Sequence, residues 1–167
     1  MCSNLTQHRP GSRLQGWSDT LWALGMMVDR RVDLVESSSV DAIMDAGAKS
    51  LAHQSGRSNV EHYSKSLWGM AKAGFQPHDS ITKKLAASVA ERSEAQPNNL
   101  SNTLWAMAKL DSDPDASTVR KLATAVAEHS NPDTQSLSNT LWALATLDCN
   151  PDDNTVCKLA AAVAERS

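Results

Sequence analysis

The chain has 167 residues and a formal charge of −3, so it can bury a core without disulfides or metal ions, and no net positive field makes nucleic acid its default partner. Its three cysteines, Cys2, Cys149 and Cys157, form no CxxC pair, which favours a reducing compartment, and its five histidines lack metal-ligand spacing. No apolar run is long enough to span a bilayer, so we expect no membrane role, no metal and no cofactor.

The first residues carry only a weak targeting signature. The first 18 residues contain no Asp or Glu and include Arg9 and Arg13, a composition found in organelle transit peptides. The repeated part of the chain begins near Gln15, which leaves little room for a separate targeting segment. We therefore expect an N-terminal extension over residues 1–14, no clear targeting signal, and a single helical domain over residues 15–167.

One five-residue phrase occurs four times along the chain and ends each time in tryptophan. Its copies are Ser18-Asp19-Thr20-Leu21-Trp22, Ser64-Lys65-Ser66-Leu67-Trp68, Ser101-Asn102-Thr103-Leu104-Trp105 and Ser138-Asn139-Thr140-Leu141-Trp142. The last three tryptophans are 37 residues apart, whereas the first interval is 46 residues, which indicates an insertion near residues 29–41. A fixed period of this length predicts tandem copies of one supersecondary unit that bury their apolar faces against each other.

Each unit is predicted to be a pair of helices. In the cleanest copy, apolar residues at helical spacing run from Val119 to Val126 on a first helix and from Leu137 to Leu144 on a second. The second helices are expected near residues 15–27, 60–73, 97–110 and 134–147, and the first helices near residues 40–54, 80–93, 117–130 and 154–167. The sequence therefore predicts an all-α fold, an α-solenoid of tandem helix-turn-helix repeats of about 37 residues.

The leucine and tryptophan that end each phrase are predicted to form the structural core of the repeat. These residues are Leu21, Trp22, Leu67, Trp68, Leu104, Trp105, Leu141 and Trp142. Each pair lies beside an apolar stripe, and a small residue follows each tryptophan and leaves room for its indole. We favour this interpretation over the alternative in which the tryptophans stack on nucleic-acid bases.

The phrase from Gln135 to Leu147, Gln-Ser-Leu-Ser-Asn-Thr-Leu-Trp-Ala-Leu-Ala-Thr-Leu, resembles the most recognisable part of the octotricopeptide repeat, a family abundant in green algae. The resemblance covers residues 15–167. It implies an α-solenoid that binds organelle RNA and governs its stability, processing or translation in the chloroplast or mitochondrion; without it we expect a cytoplasmic protein. Similar tryptophan-containing helical repeats occur in bacterial effectors, so a protein–protein interaction scaffold or an effector-like fragment is the alternative.

Two polar positions on the tryptophan-bearing helix vary between repeats and are the candidates for contacting bases. They lie three residues before each tryptophan and one helical turn earlier on the same face, and they comprise Gln15, Asp19, Glu61, Lys65, Asn98, Asn102, Gln135 and Asn139. Asn and Gln can pair with the base edges of single-stranded RNA, and Lys65 can meet a phosphate. The alternative is a solvated polar face, or an Asn ladder that bonds adjacent repeats.

A row of basic side chains near the start of the first helices is the candidate phosphate track. It consists of Lys84, Lys121 and Lys158, which recur with the repeat period. The alternative is ordinary surface lysine, because Glu91, Glu128 and Glu165 lie further along the same helices and would balance these cations.

We expect no catalytic residues and no enzyme activity. The serines that open the phrases recur without a base and an orienting carboxylate beside them, and a hydroxyl between packed helices commonly bonds a carbonyl one turn earlier. The last helix carries an apolar stripe at Val156, Leu159 and Val163 that no following helix covers. This stripe predicts self-association through the uncapped C-terminal helix.

Overall fold

The computed structural model describes residues 10–30, 37–54 and 59–166, with the backbone alone for residues 10–12 and 37. This part of the chain forms eight α-helices and no strand, which confirms the all-α fold class. The helices are α1 (Pro10–Asp29), α2 (Ser37–His53), α3 (Val60–Ala73), α4 (Asp79–Ala90), α5 (Pro97–Lys109), α6 (Ala116–Glu128), α7 (Thr134–Thr146) and α8 (Asp153–Ala164). None of them is long and apolar enough to cross a membrane.

The first helix begins earlier than the repeat phrase indicates. α1 starts at Pro10, so residues 10–14 belong to this helix and not to an N-terminal extension. Proline suits the first turn of a helix, where its missing N–H has no intrahelical partner to lose, and Leu14 is buried in the core. Residues 1–9 of the expected extension, and residues 31–36 of the expected insertion, lie outside the described residues.

The eight helices form two layers. α1, α3, α5 and α7 contact one another in that order, α2, α4, α6 and α8 do the same, and helices consecutive in the chain pack across the two layers. The four tryptophans of the repeated phrase all lie on α1, α3, α5 and α7, which we call the tryptophan layer; the other four helices are the second layer. Equivalent positions of successive phrases therefore lie side by side along one layer.

Aspartates at the helix starts accept hydrogen bonds from backbone N–H groups that have no intrahelical partner. Asp133 accepts from the N–H of Ser136 at 2.6 Å, and Asp152 accepts from the N–H of Thr155 at 2.8 Å. The hydroxyl of Thr155 also donates to Asp152 at 2.7 Å, and this bond is the largest cause of the lowered pKa of the Asp152 carboxyl.

Three of the four tryptophan-layer helices end in a residue with left-handed backbone. Gly74, Asp111 and Asp148 have φ values of 68°, 45° and 47° and occupy the same position in successive repeats. The left-handed conformation closes a helix by turning the chain so that N–H groups reach the last free carbonyls. Glycine adopts it without steric cost, whereas aspartate does so at some cost.

The core lies between the two layers and contains the leucines of the repeated phrase. Leu21, Leu67 and Leu104 are fully buried, and Leu141 is half-buried against the same cluster. Met44 of α2 and Leu122 of α6 are buried in this cluster from the second layer. The leucine half of the predicted repeat core is therefore found in the core.

The prediction that the tryptophans belong to the repeat core is wrong for Trp22 and Trp142, whereas Trp105 packs against the core cluster. Trp22 and Trp142 keep 40% and 44% of their surface exposed, and Trp68 and Trp105 are half-buried. Neighbouring side chains on a helix point about 100° apart. Because the leucine faces the core between the layers, the tryptophan that follows it points to the open side of its own layer.

Candidate ligand-binding groove

A groove of about 880 Å³ runs along the tryptophan layer from α1 to α7. Its lining residues are Trp22, Glu61, Ser64, Lys65, Trp68, Lys72, Gln96, Asn98, Asn99, Asn102, Trp105, Gln135 and Asn139. All of these lie on helices of the tryptophan layer except Gln96, which immediately precedes α5. The groove is therefore built by one layer of the fold and presents indoles, carboxamides and two lysines.

The tryptophans form a row of neighbouring rings. The ring centroids of Trp68 and Trp105 are 6.2 Å apart, those of Trp105 and Trp142 are 6.3 Å apart, and both pairs are tilted by 35°. The repeat produces this regularity, because each indole occupies the same position of its helix and successive helices lie side by side. Rings held in a row by their neighbours form a stacking platform for a flat ligand.

The two lysines that line the groove both lie over tryptophan rings and pair with aspartates of α1. Lys65 Nζ is 5.1 Å from the ring centroid of Trp22 and 2.6 Å from Oδ1 of Asp19. Each lysine thus has an aromatic face on one side and a carboxylate on the other, which offsets its charge and orders its flexible side chain.

Lys72 repeats this arrangement one step further along the groove. Its Nζ lies 5.4 Å from the ring centroid of Trp68, 5.6 Å from that of Trp105, and 3.3 Å from Oδ2 of Asp29. Both ion pairs connect α3 to α1, so they also tie the first two helices of the tryptophan layer together. A ligand that displaced Lys72 from the indoles would leave the lysine beside Asp29.

The carboxamides concentrate toward the α5 and α7 end of the groove. Gln135 Nε2 donates to Asn139 Oδ1 at 2.8 Å, and Ser64 Oγ donates to Asn99 Oδ1 at 3.1 Å. These bonds orient the two asparagine side chains and leave each amide NH₂ able to donate to a ligand. Asn102, half-buried beside them, contributes a further amide to the same wall.

The structure brings six of the eight base-contact candidates into this groove. They are Glu61, Lys65, Asn98, Asn102, Gln135 and Asn139. The other two, Gln15 and Asp19, lie on the exposed surface of α1 and do not line it, and Asp19 instead holds Lys65. The two variable positions of α3, α5 and α7 therefore face one common cavity.

The three phosphate candidates are elsewhere. Lys84, Lys121 and Lys158 lie on α4, α6 and α8, in the second layer, and all are exposed. Lys158 Nζ is 3.7 Å from Oε1 of Glu128, as expected for a surface lysine balanced by a glutamate on the neighbouring helix. The structure does not bring this row of lysines together with the candidate base contacts.

Sequence reasoning missed several groove residues, including Lys72, Gln96 and Asn99. Lys72 had a detectable signal, because it lies four residues after Trp68 and therefore on the same helix face. Asn99 had a weaker one, since only the contact with Ser64 of the neighbouring helix turns it toward the groove.

The chemistry of the groove is aromatic and amide-rich, and its charged side chains are Lys65, Lys72 and Glu61. Indole faces can stack on flat rings, carboxamides can pair with groups that both donate and accept hydrogen bonds, and the lysines are already balanced by Asp19 and Asp29. No family model, curated protein or solved structure matches the chain. The class of ligand is therefore inferred from the side chains of the groove.

Proposed function

We propose that the chain is an α-solenoid of 37-residue helical repeats that binds single-stranded RNA in the groove of the tryptophan layer. The observation that carries the proposal is that Trp22, Trp68 and Trp105 line one continuous groove together with the variable polar residues of α3, α5 and α7. Single-stranded nucleic acid offers what this lining can bind, namely flat bases and base edges that both donate and accept hydrogen bonds.

The repeat architecture suits a linear ligand. Helices of one layer contact their equivalents in the next unit, and the tryptophans of α3, α5 and α7 recur at 6.2 and 6.3 Å. Beside these indoles the polar side chains differ between units, with Glu61 and Lys65 on α3 and carboxamides on α5 and α7. Helical-repeat RNA-binding proteins use such a layout to assign one base to each repeat. Stacking of a base on an aromatic side chain contributes about 1–3 kcal/mol, and a good amide–base pair discriminates by a similar amount.

The resemblance of the repeat phrase to the octotricopeptide repeat supports the same class of ligand. By that resemblance the protein would act in the stability, processing or translation of RNA in a chloroplast or mitochondrion. The groove is lined by side chains suited to recognition, and its two lysines pair with Asp19 and Asp29, which lie outside the lining.

The test is fluorescence anisotropy with a labelled pool of random single-stranded RNA at low salt. The double variant Asn102→Ala with Asn139→Ala should weaken binding roughly tenfold or more, since each amide contributes about 1 kcal/mol or more. Lys121→Ala, an exposed change in the second layer, is the matched control and should bind like the wild type. Wild-type protein that does not bind the pool would contradict the proposal.

The alternative is a protein-interaction module, which the pairing of both groove lysines with aspartates favours. A phosphate chain would have to compete with these carboxylates, whereas a peptide brings amides that match Asn102 and Gln135 without requiring a cation. Failure of RNA binding, together with binding of an extended peptide that the Asn102→Ala change weakens, would favour this second function.

A further inference from the structure

The tryptophan layer has two outer faces, on α1 away from α3 and on α7 away from α5. Within the described residues, neither face contacts another helix of its own layer. All exposed large apolar side chains of this part of the protein belong to the two end helix pairs: Trp22, Met27, Val28, Ile43, Trp142 and Val156. The four middle helices expose none. Trp22 lines the groove and Trp142 belongs to the tryptophan row, and the remaining four make both ends of the described part of the chain apolar outside the groove.

The residue two places before each tryptophan identifies the face of α1. Ser66, Thr103 and Thr140 occupy this position on α3, α5 and α7, and all three are fully buried. Thr20 occupies it on α1 and is exposed. Because α3, α5 and α7 each have a preceding helix in their layer and α1 has none, this position must face the preceding helix. Thr20 thus marks what we call the α1 face.

The residue three places after each tryptophan identifies the opposite face. Gly25, Ala71 and Ala108 are buried at this position on α1, α3 and α5, whereas Ala145 of α7 is exposed. The second layer shows the same contrast, since Val156 of α8 is 36% exposed and its equivalent in α6 is fully buried. Ala145 and Val156 together mark the α7–α8 face.

These two faces are the two halves of a contact that the chain already makes internally. Gly69, one place after Trp68, packs on Gly25, three places after Trp22, so closely that a Cβ atom on Gly25 would overlap the carbonyl oxygen of Gly69. The same two positions are small in every repeat. Among the described residues, Ala23 on the α1 face and Ala145 on the α7–α8 face are the members of this series that pack on no equivalent small residue of a neighbouring helix.

Thr20, which marks the α1 face, can be buried without losing a hydrogen bond. The Thr20 hydroxyl already donates to the carbonyl oxygen of Gly16 at 2.8 Å. Thr140, which is fully buried at the equivalent position, makes the same bond to Ser136 at 2.8 Å. Covering Thr20 therefore removes apolar surface from water without leaving a polar group unsatisfied.

We infer that the α1 face of one copy docks on the α7–α8 face of a second copy, head to tail, and continues both helix layers across the junction. The sequence predicted self-association through α8 alone. In the contact inferred here, one copy contributes both α7 and α8, including Ala145, and the other copy contributes the α1 face, including Thr20. Such a heterologous contact does not close on two subunits, so chains grow with concentration. It depends on the packing between repeats and not on the ligand of the groove.

Sedimentation velocity of the full chain, over a wide concentration range, tests this inference with Thr20→Glu and Ala145→Glu. The wild type should gain mass steadily as concentration rises. Each variant alone should stay at monomer mass, because a charge on either face blocks every junction. An equimolar mixture should form a 1:1 complex of twice the monomer mass and no larger species, because one intact face of each kind remains.

The controls separate docking from misfolding. Lys121→Glu, an equivalent change on the exposed second layer, should assemble like the wild type, and circular dichroism should show unchanged helix in all variants. Thr20→Arg and Ala145→Arg provide the same test with opposite charge. A monomeric wild type, a mixture that stays monomeric, or assembly blocked by the Ala145 change but not by the Thr20 change would overturn the inference.

Discussion

A Cβ atom built on Gly69 would lie 2.5 Å from the carbonyl oxygen of Leu21, so α1 and α3 pack backbone against backbone. The partner is a main-chain atom, and no side-chain movement can relieve the contact. Later helices of the layer carry alanine at the equivalent place, Ala106 and Ala143, and both are fully buried. The layer therefore depends on small residues at fixed positions, with glycine where the approach is closest.

Gly69→Ala should destabilise the protein by about 1–3 kcal/mol, because the added methyl group forces α1 and α3 apart, even though alanine is the better helix former. Urea denaturation measures the change in the free energy of unfolding. Gly16→Ala is the control, since a Cβ atom there meets nothing within 4 Å, and it should raise stability by about 0.5–1 kcal/mol. Equal stability of the Gly69 variant and the wild type would show that the helices separate without cost.

Asp111→Gly should stabilise the protein. Asp111 has φ 45°, in the left-handed region where a side chain costs about 1–2 kcal/mol and where aspartate is better tolerated than most residues. We expect a gain of about 0.5–1 kcal/mol, after the larger backbone entropy of glycine in the unfolded chain is subtracted. At the equivalent position of the preceding repeat, Gly74→Ala places a side chain in the left-handed region and should destabilise the protein by a similar amount. Thermal denaturation of both variants checks the two signs together.

The helices could be predicted from the sequence because their apolar stripes are regular, and the leucines were placed correctly for the same reason. The exposure of the tryptophans could not be predicted. The sequence pattern shows that Leu104 and Trp105 both recur at helical spacing. Which of these two adjacent side chains faces the second layer is decided only by how the helices pack. A tryptophan next to a buried leucine can lie in the core or line a groove.

The separation of the candidate contacts was equally beyond the sequence. Lys121 and Asn139 recur with the same period, so one ligand strand contacting both was a consistent expectation. They lie on different layers, because consecutive helices alternate between the two layers. The repeat period fixes the spacing between equivalent residues of one layer, but not the position of a residue of one layer relative to the other. The pairing of Lys65 with Asp19 required residues 46 positions apart to be neighbours, which only the fold reveals.

Ser18→Ala should raise stability. Ser18 is fully buried, and its hydroxyl has no hydrogen-bond partner among the described residues. An unsatisfied buried polar group costs about 1–3 kcal/mol, so its removal should stabilise by about 1 kcal/mol after the small loss of packing. Ser64→Ala is the matched change, and it should destabilise, because the Ser64 hydroxyl donates to Asn99 at 3.1 Å. Opposite signs in urea denaturation are the expected result.

Lowering the pH should destabilise the start of α8, where Asp152 is the N-cap residue. Hydrogen bonds from Thr155 lower the pKa of this carboxyl below its ordinary value of 3.8. A lowered pKa in the folded state means that the stabilisation is present above the pKa of the unfolded chain and is lost as pH falls through the folded-state pKa. Asp152→Asn keeps an acceptor that does not titrate, so its melting temperature should fall less than that of the wild type between about pH 4 and pH 2. Asp153→Asn, a neighbour that is not the N-cap, should follow the wild type.

The last prediction concerns the salt dependence of RNA binding. Only Lys65 and Lys72 can bring positive charge to a ligand in the groove from its lining, and each phosphate contact with a single strand contributes about −0.7 to the slope of log K against log salt. The slope should therefore lie between zero and about −1.4, shallower than for a protein that follows the phosphate chain. Gel-shift titrations between about 50 and 200 mM salt measure it.

Lysine variants show which residues cause the salt dependence of RNA binding. Lys65→Met with Lys72→Met should bring it close to zero while RNA stacked on Trp68 and Trp105 still binds, because methionine keeps the apolar stem and removes the charge. The triple change Lys84→Ala, Lys121→Ala and Lys158→Ala should leave both slope and affinity as in the wild type, since these lysines lie on the second layer. A slope steeper than about −2 that the triple change flattens would place the RNA on the second layer and remove it from the groove.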